Sequence, residues 1–122
     1  MTTTAADQIA FDAMTRTSVA EIARFLQELF GQRLTALIVG IQNPKAVGQW
    51  ARGEREPHPQ AARHLRDAFH VAKLLLQVES ALTVQSWFLG MNPQLDDETP
   101  ALLIATRPAD VLRAARAFAA IG

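Results

Sequence analysis

The sequence contains no cysteine. That single absence removes disulfides, thiolate zinc sites and cysteine nucleophiles together, and it suits a reducing, cytoplasmic setting. No segment approaches the ~20 consecutive apolar residues of a membrane span. The opening Met1-Thr2-Thr3-Thr4-Ala5-Ala6-Asp7 lacks the charged start and apolar run of a secretory signal. Charge of one sign is missing as well, since 12 basic residues face 12 acidic ones. A bulk polycation is therefore excluded. No period-2 apolar run of useful length occurs, which argues against strands. No Ser/His/Asp set, glycine-rich phosphate loop or paired-carboxylate motif is present, so an enzyme is not expected.

What remains is a chain of 122 residues with helical periodicity almost throughout. A domain of this size buries roughly two-thirds of its unfolded surface, enough to fold without metals or cofactors. The expected fold is all-α, in three stretches. Residues 1–17 read as a loose arm with a short helix around Ile9 to Met14. Residues 18–79 read as an N-terminal helical bundle, and residues 80–122 as a small C-terminal helical module packed on it.

Ser18 is the expected N-cap of a helix with Glu21 three residues on, the pattern of a capping box. Ile22, Phe25, Leu26 and Leu29 supply its apolar stripe and Gly31 its stop. A second helix from about Arg33 would place Leu34, Leu37, Ile38 and Ile41 on one face. Asn43-Pro44 opens a third helix ending at Gly53. His58-Pro59 opens a longer fourth helix to about Ser80, with Leu65, Phe69, Ala72, Leu75 and Leu76 inward. A fifth spans roughly Leu82 to Leu89, and Thr99-Pro100 and Arg107-Pro108 start two more.

The charges are unevenly spread. Residues 44–73 hold Lys45, Arg52, Arg55, Arg63, Arg66 and Lys73 against Glu54, Glu56 and Asp67. This modest basic middle fits either nucleic-acid contact or an ordinary mixed surface. On the third helix Val47 and Trp50 are expected inward. Lys45, Gly48, Gln49 and Arg52 fall at i, i+3, i+4 and i+7 and form the opposite face. Gln and Arg can pair bidentately with base edges, and a glycine admits a close backbone. A solvated amphipathic helix would show the same spacing.

The run Val47-Gly48-Gln49-Trp50-Ala51-Arg52-Gly53-Glu54-Arg55-Glu56-Pro57 resembles the end of an Xre-type helix-turn-helix, with Ala36 and Gly40 at the positions of its second helix and turn. Val47 lies seven residues after Gly40, where that family usually has six. Farther on come Trp87-Phe88-Leu89, Asn92-Pro93 with Leu95, Thr99-Pro100 with Leu102-Leu103, then Val111, Phe118 and a closing Ile121-Gly122. This order resembles the toxin-binding domain of Xre/MbcA/ParS-like antitoxins, with Asp96-Asp97-Glu98 where glycines are frequent. The two resemblances span residues 18–122.

The resemblance implies an antitoxin of a type II toxin–antitoxin pair whose partner is a RES-domain, NAD-consuming toxin held inactive by occlusion. It also implies operator DNA as a second partner, and a homodimer or larger toxin–antitoxin assembly. The DNA-facing residues would be Lys45, Gln49, Arg52 and Arg55. The toxin-facing residues would be Arg113, Arg116, Phe118, Ile121 and Gly122. Arg113 and Arg116, three apart, suit phosphates or carboxylates, or they solvate the last helix. Trp87 and Leu95 read as core. The alternative is a stand-alone Xre-type DNA-binding regulator with no toxin.

Two other clusters carry less. Asp96, Asp97 and Glu98 could form a metal or general-base group, but acids also collect at helix N-termini because the dipole favours them. His58, His64 and His70 are six apart, which is not a one-face ligand spacing, so zinc is not expected.

Overall fold

The computed structural model describes residues 5–121, whose regular elements are all helices, with no strand among them. The elements are α1 (Ala5–Arg16), α2 (Val19–Val39), α3 (Lys45–Ala51), α4 (Pro59–Leu76), α5 (Ala81–Leu89), a 3-10 turn (Pro93–Leu95), α6 (Pro100–Leu103) and α7 (Pro108–Ile121). None of these helices is long and apolar enough to cross a membrane.

The strong apolar periodicity of α4 makes it the centre of the fold. Ala61, Leu65, Ala68, Phe69, Val71, Ala72, Leu74 and Leu75 are all buried, and α1, α2, α5 and α7 each pack against it. Each fully buried Leu or Phe contributes about 1.5–3 kcal/mol of transfer free energy. Surrounding the fourth helix therefore stabilises it far more than its propensity could.

Local signals set most boundaries. Ser18 caps α2, its Oγ accepting from the Glu21 amide at 3.2 Å. Gly31 breaks α2 internally at φ 82 and ψ 167, so 19–30 and 32–39 run as two helical stretches, as the glycine predicts. The buried Thr35 hydroxyl lies 2.7 Å from the Gly31 carbonyl and 3.1 Å from that of Leu26. It engages carbonyls that the break would otherwise leave short of partners. Gly40 closes the helix in the left-handed region, φ 86, with its amide and that of Ile41 both bonded to the Ala36 carbonyl.

Three expectations are corrected by the packing. The arm, expected to be loose with one short helix around Ile9 to Met14, is helical over twelve residues as α1, with Asp7 and Ala10 buried. Arg66 on α4 donates to the carbonyls of Met14 (2.7 Å) and Thr17 (3.0 Å) at its C-terminal end. Leu37, expected on one face with Leu34, Ile38 and Ile41, is 50% exposed, because the second stretch of α2 buries Thr35, Ala36, Ile38 and Val39 instead. Helix α4 stops at Leu76 rather than near Ser80, and Ser80 instead caps α5 by accepting from the Thr83 amide at 3.2 Å.

Candidate functional surfaces

Helix α3 is anchored from both sides. Val47 is fully buried and Trp50 is 4% exposed, as their spacing predicts. Asn43 Oδ1 accepts from the Lys45 amide at 3.1 Å and begins the helix. Arg24 of α2 donates to the Ala51 carbonyl at 3.0 Å, satisfying one of the orphan acceptors at the far end. The sequence carried no signal for that contact, since the two residues are 27 apart. The Trp50 indole N–H is buried and has no hydrogen-bond partner, so this anchor works by burial against an unmade bond.

The expected DNA-facing residues divide. Lys45 is exposed and unencumbered by any bridge to an acid among the described residues. Arg52 forks onto Glu54 at 2.8 and 3.2 Å. That contact holds the Glu54 carboxyl below its ordinary range, through the hydrogen bond first. Arg55 reaches back to Gln49 Oε1 at 3.4 Å, and Gln49 is half-buried. Gly48 does not belong to the outer face. It is buried, and a Cβ there would meet the Gln32 amide nitrogen at 2.6 Å. Its close backbone approach is to the α2 side chains Gln32 and Gln27, themselves bonded at 2.8 Å.

The basic middle is likewise partly spent inside the fold. Arg66 caps α1, and the Lys73 ammonium stands 5.1 Å from the Phe25 ring centroid and 5.7 Å from that of Phe69. Beside α3 lies a cavity of about 340 Å3 lined by Asn43, Trp50, Arg55, Glu56 and His58 among others.

The C-terminal surface is built by α5, the loop after it, and α7. Asn92 shapes the loop. Its amide donates to the Glu98 carbonyl at 3.1 Å, its Oδ1 accepts from Gln94, and its carbonyl accepts from Leu95 and Asp97 at 2.9 Å each. Closing so tight a loop puts Asp96 and Asp97 at φ 57 and 65, left-handed values that glycine reaches without strain and Asp or Asn reaches more readily than other residues.

The acids of this loop directly precede Thr99, the N-cap of α6, and also meet an arginine. Arg107 Nη1 lies 3.8 Å from Asp96 and 3.7 Å from Glu98, while its Nε donates to Asp110 at 2.9 Å. Asp110 also accepts from Arg113 at 2.7 Å, and the Arg107 and Arg113 hydrogen bonds hold its carboxyl below the ordinary value. One arginine thus ties the loop to the start of α7.

The two arginines expected to act together are separated. Arg113 is outward, its side chain 72% exposed. Arg116 turns inward and donates from Nε to Asp7 of α1 at 2.6 Å. Phe118 packs on the core and lies 6.4 Å from the Trp87 ring. Ile121 is 88% exposed. Gly122 lies outside the described residues. Leu95 is fully buried and Trp87 is packed against the core, as expected. Between α5 and α7 runs an uncharged groove of about 280 Å3, lined by Trp87, Met91, Pro93, Ala117, Phe118 and Ile121 with their neighbours.

The three histidines stay apart in role. His64 Nδ1 sits 2.8 Å from the Val39 carbonyl, His58 precedes α4 exposed, and His70 is buried beside Asp7. Among the described residues no group of three or more His, Asp or Glu could hold a metal ion. Comparison with protein families, with curated proteins and with solved structures gives no match to this chain.

Proposed function

We propose that this chain is the antitoxin of a type II toxin–antitoxin pair and neutralises a RES-domain, NAD-consuming toxin by occluding its active site. The observation that carries this reading is the outer end of α7. There an uncharged apolar groove opens beside Ile121, 88% exposed, and Met91, 78% exposed. Such a site offers a partner apolar anchor points, which dominate interface energetics, and Arg113 stands outward on the same helix as a rim charge. The Asp96–Asp97 backbone adds support. The antitoxin family that the sequence resembles often has glycines in this loop, and the left-handed turn here is one that glycines make easily.

In this reading the toxin-facing groups are Arg113, Phe118, Ile121 and Gly122, while Arg116 fixes α7 against α1. The function is binding, not catalysis. Helix α3 presents Lys45, Arg52 and Arg55 to the operator DNA of the same operon, with Gln49 as the base-reading candidate. The stand-alone regulator would use the same helix without a toxin.

Co-expression with the product of the adjacent gene tests the proposal. Wild-type chain is expected to co-purify with a RES-type protein and restore growth. Arg113→Glu and Ile121→Glu, both at exposed positions, are expected to fold normally and lose protection. Full protection by the double variant, or no complex with any neighbouring product, would overturn the reading. These substitutions test it better than deleting 107–122, because α7 buries Val111, Ala114 and Ala115 and packs against α4.

A further inference from the structure

We infer that the cavity between α3 and the start of α4 binds a small organic acid, a carboxylate carried on a compact apolar body. The cavity holds about 340 Å3. That is the lower end of the range for small-molecule sites, which are mostly apolar with a few polar groups that fix orientation. Its apolar wall is Ile41, Ala46, Trp50 and Ala61. The last three are buried, so the core holds the wall in place. Such a space suits a single ring or a branched aliphatic chain.

The polar groups of the cavity identify the head of the ligand. Helix α4 begins here with no side-chain cap on its amides and no acid in its first turn. Pro59 has no N–H, and the Ala62 amide is bonded to the His58 carbonyl. The amides of Gln60 and Ala61 are therefore the ones left for an outside acceptor. The dipole of this eighteen-residue helix favours a negative group at the same end. Trp50 adds a donor that is independent of the helix. It is 4% exposed, and its indole N–H is buried with no partner, a loss that an incoming acceptor recovers.

Arg55 and His58 line the same cavity. Neither is paired with an acid among the described residues. Glu56 is the one acid on the wall. Donors from α3, from the loop after it and from α4 thus converge on one space. A carboxylate strengthens each of these bonds more than a neutral ligand does. A bare anion meets the donors too, but it leaves the apolar wall uncovered. Arg55 also reaches Gln49 Oε1 at 3.4 Å, so the ligand competes with Gln49 for the guanidinium. Binding therefore bears on the α3 face assigned above to DNA, but it does not rest on that assignment.

Proton–nitrogen NMR of the labelled full-length chain, titrated with sodium benzoate, tests this without toxin or DNA. Its failure thus leaves the antitoxin reading standing, and failure of that reading leaves this one. Trp87→Phe tells the two indole signals apart. Benzoate is expected to shift the Trp50 indole and the Ala61 amide saturably and to leave the Trp87 indole unmoved. Benzamide has the same shape without the charge, and inorganic phosphate has charge without a ring. Each should bind about tenfold more weakly, the scale of one lost charge-assisted contact or of an uncovered wall. Arg55→Gln should weaken benzoate by about tenfold, and Glu56→Gln should tighten it by removing the opposing charge. Both positions are exposed, so neither change disturbs the core. No saturable shift at Trp50 overturns the inference. Benzamide or phosphate binding as tightly as benzoate overturns it too, as does an affinity left unchanged in either variant.

Discussion

Arg116 of the last helix donates from Nε to the buried Asp7 carboxylate of the first helix at 2.6 Å, across 109 residues of sequence. Asp7 is 5% exposed, and His70 of α4 lies 3.8 Å from its other oxygen. The first and last helices are therefore joined through one buried carboxylate. Phe11 covers the site, its ring 5.9 Å from that of His70.

Removing the two partners of this pair should have unequal cost. Arg116→Ala deprives a buried carboxylate of its guanidinium and is expected to destabilise by about 2–3 kcal/mol, below the full cost for a buried pair because the arginine is 38% exposed. Asp7→Ala lets the guanidinium turn to water and should cost about 1 kcal/mol. Urea denaturation of both variants measures the difference. Equal losses would mean that the two charges are equally accessible to solvent.

His70 makes the same junction sensitive to pH. Burial pushes its pKa below the ordinary value; Asp7 opposes this and Arg116 adds to it. The unfolded chain then binds the proton more readily than the folded one. The stability that comes from keeping His70 neutral is complete above its unfolded pKa of about 6.5 and is lost as pH falls from there through the folded value. Between about pH 7.5 and 5.5 wild type should lose more stability than His70→Gln. Parallel melting curves for the two proteins across that range would exclude His70 as the cause.

Trp50 separates volume from hydrogen bonding. Trp50→Ala should cost about 3–5 kcal/mol, as expected for a large buried side chain. Trp50→Phe deletes the unpartnered buried N–H along with part of the ring, so its cost should be far smaller, about 1 kcal/mol. Thermal melting of the pair distinguishes them. Similar large losses from both would show that the N–H has a partner after all.

The α3 face yields a charge prediction. Glu54 occupies the Arg52 fork, so Glu54→Gln should free the guanidinium and tighten binding to operator DNA. Lys45→Ala should weaken binding to all sequences alike and lower the salt slope by about one. Gln49→Ala should relax preference at one base position, worth ~1–3 kcal/mol. Fluorescence anisotropy on promoter DNA at two salt concentrations reads all three. No binding under any condition would make α3 a scaffold helix only.

The sequence alone determined the helical class, most helix starts and the inward placement of Val47 and Trp50. These depend on local physics: Ser18 caps, Gly31 and Gly40 take backbone angles other residues avoid, and apolar spacing of three and four selects a buried side. Tertiary structure decided which polar groups are spoken for. Arg116, Arg66, Arg24 and Lys73 look like surface charges in sequence, yet each is directed to a carboxylate, a helix-end carbonyl or a ring on another element. Gly48 reads as outward by period but lies under Gln32. Of α1 the sequence showed only a short helix around Ile9 to Met14; its full length and its place depend on Asp7 meeting groups from α4 and α7. A long side chain finds its partner by the packing of whole helices, and no spacing within one helix encodes where another helix will stand.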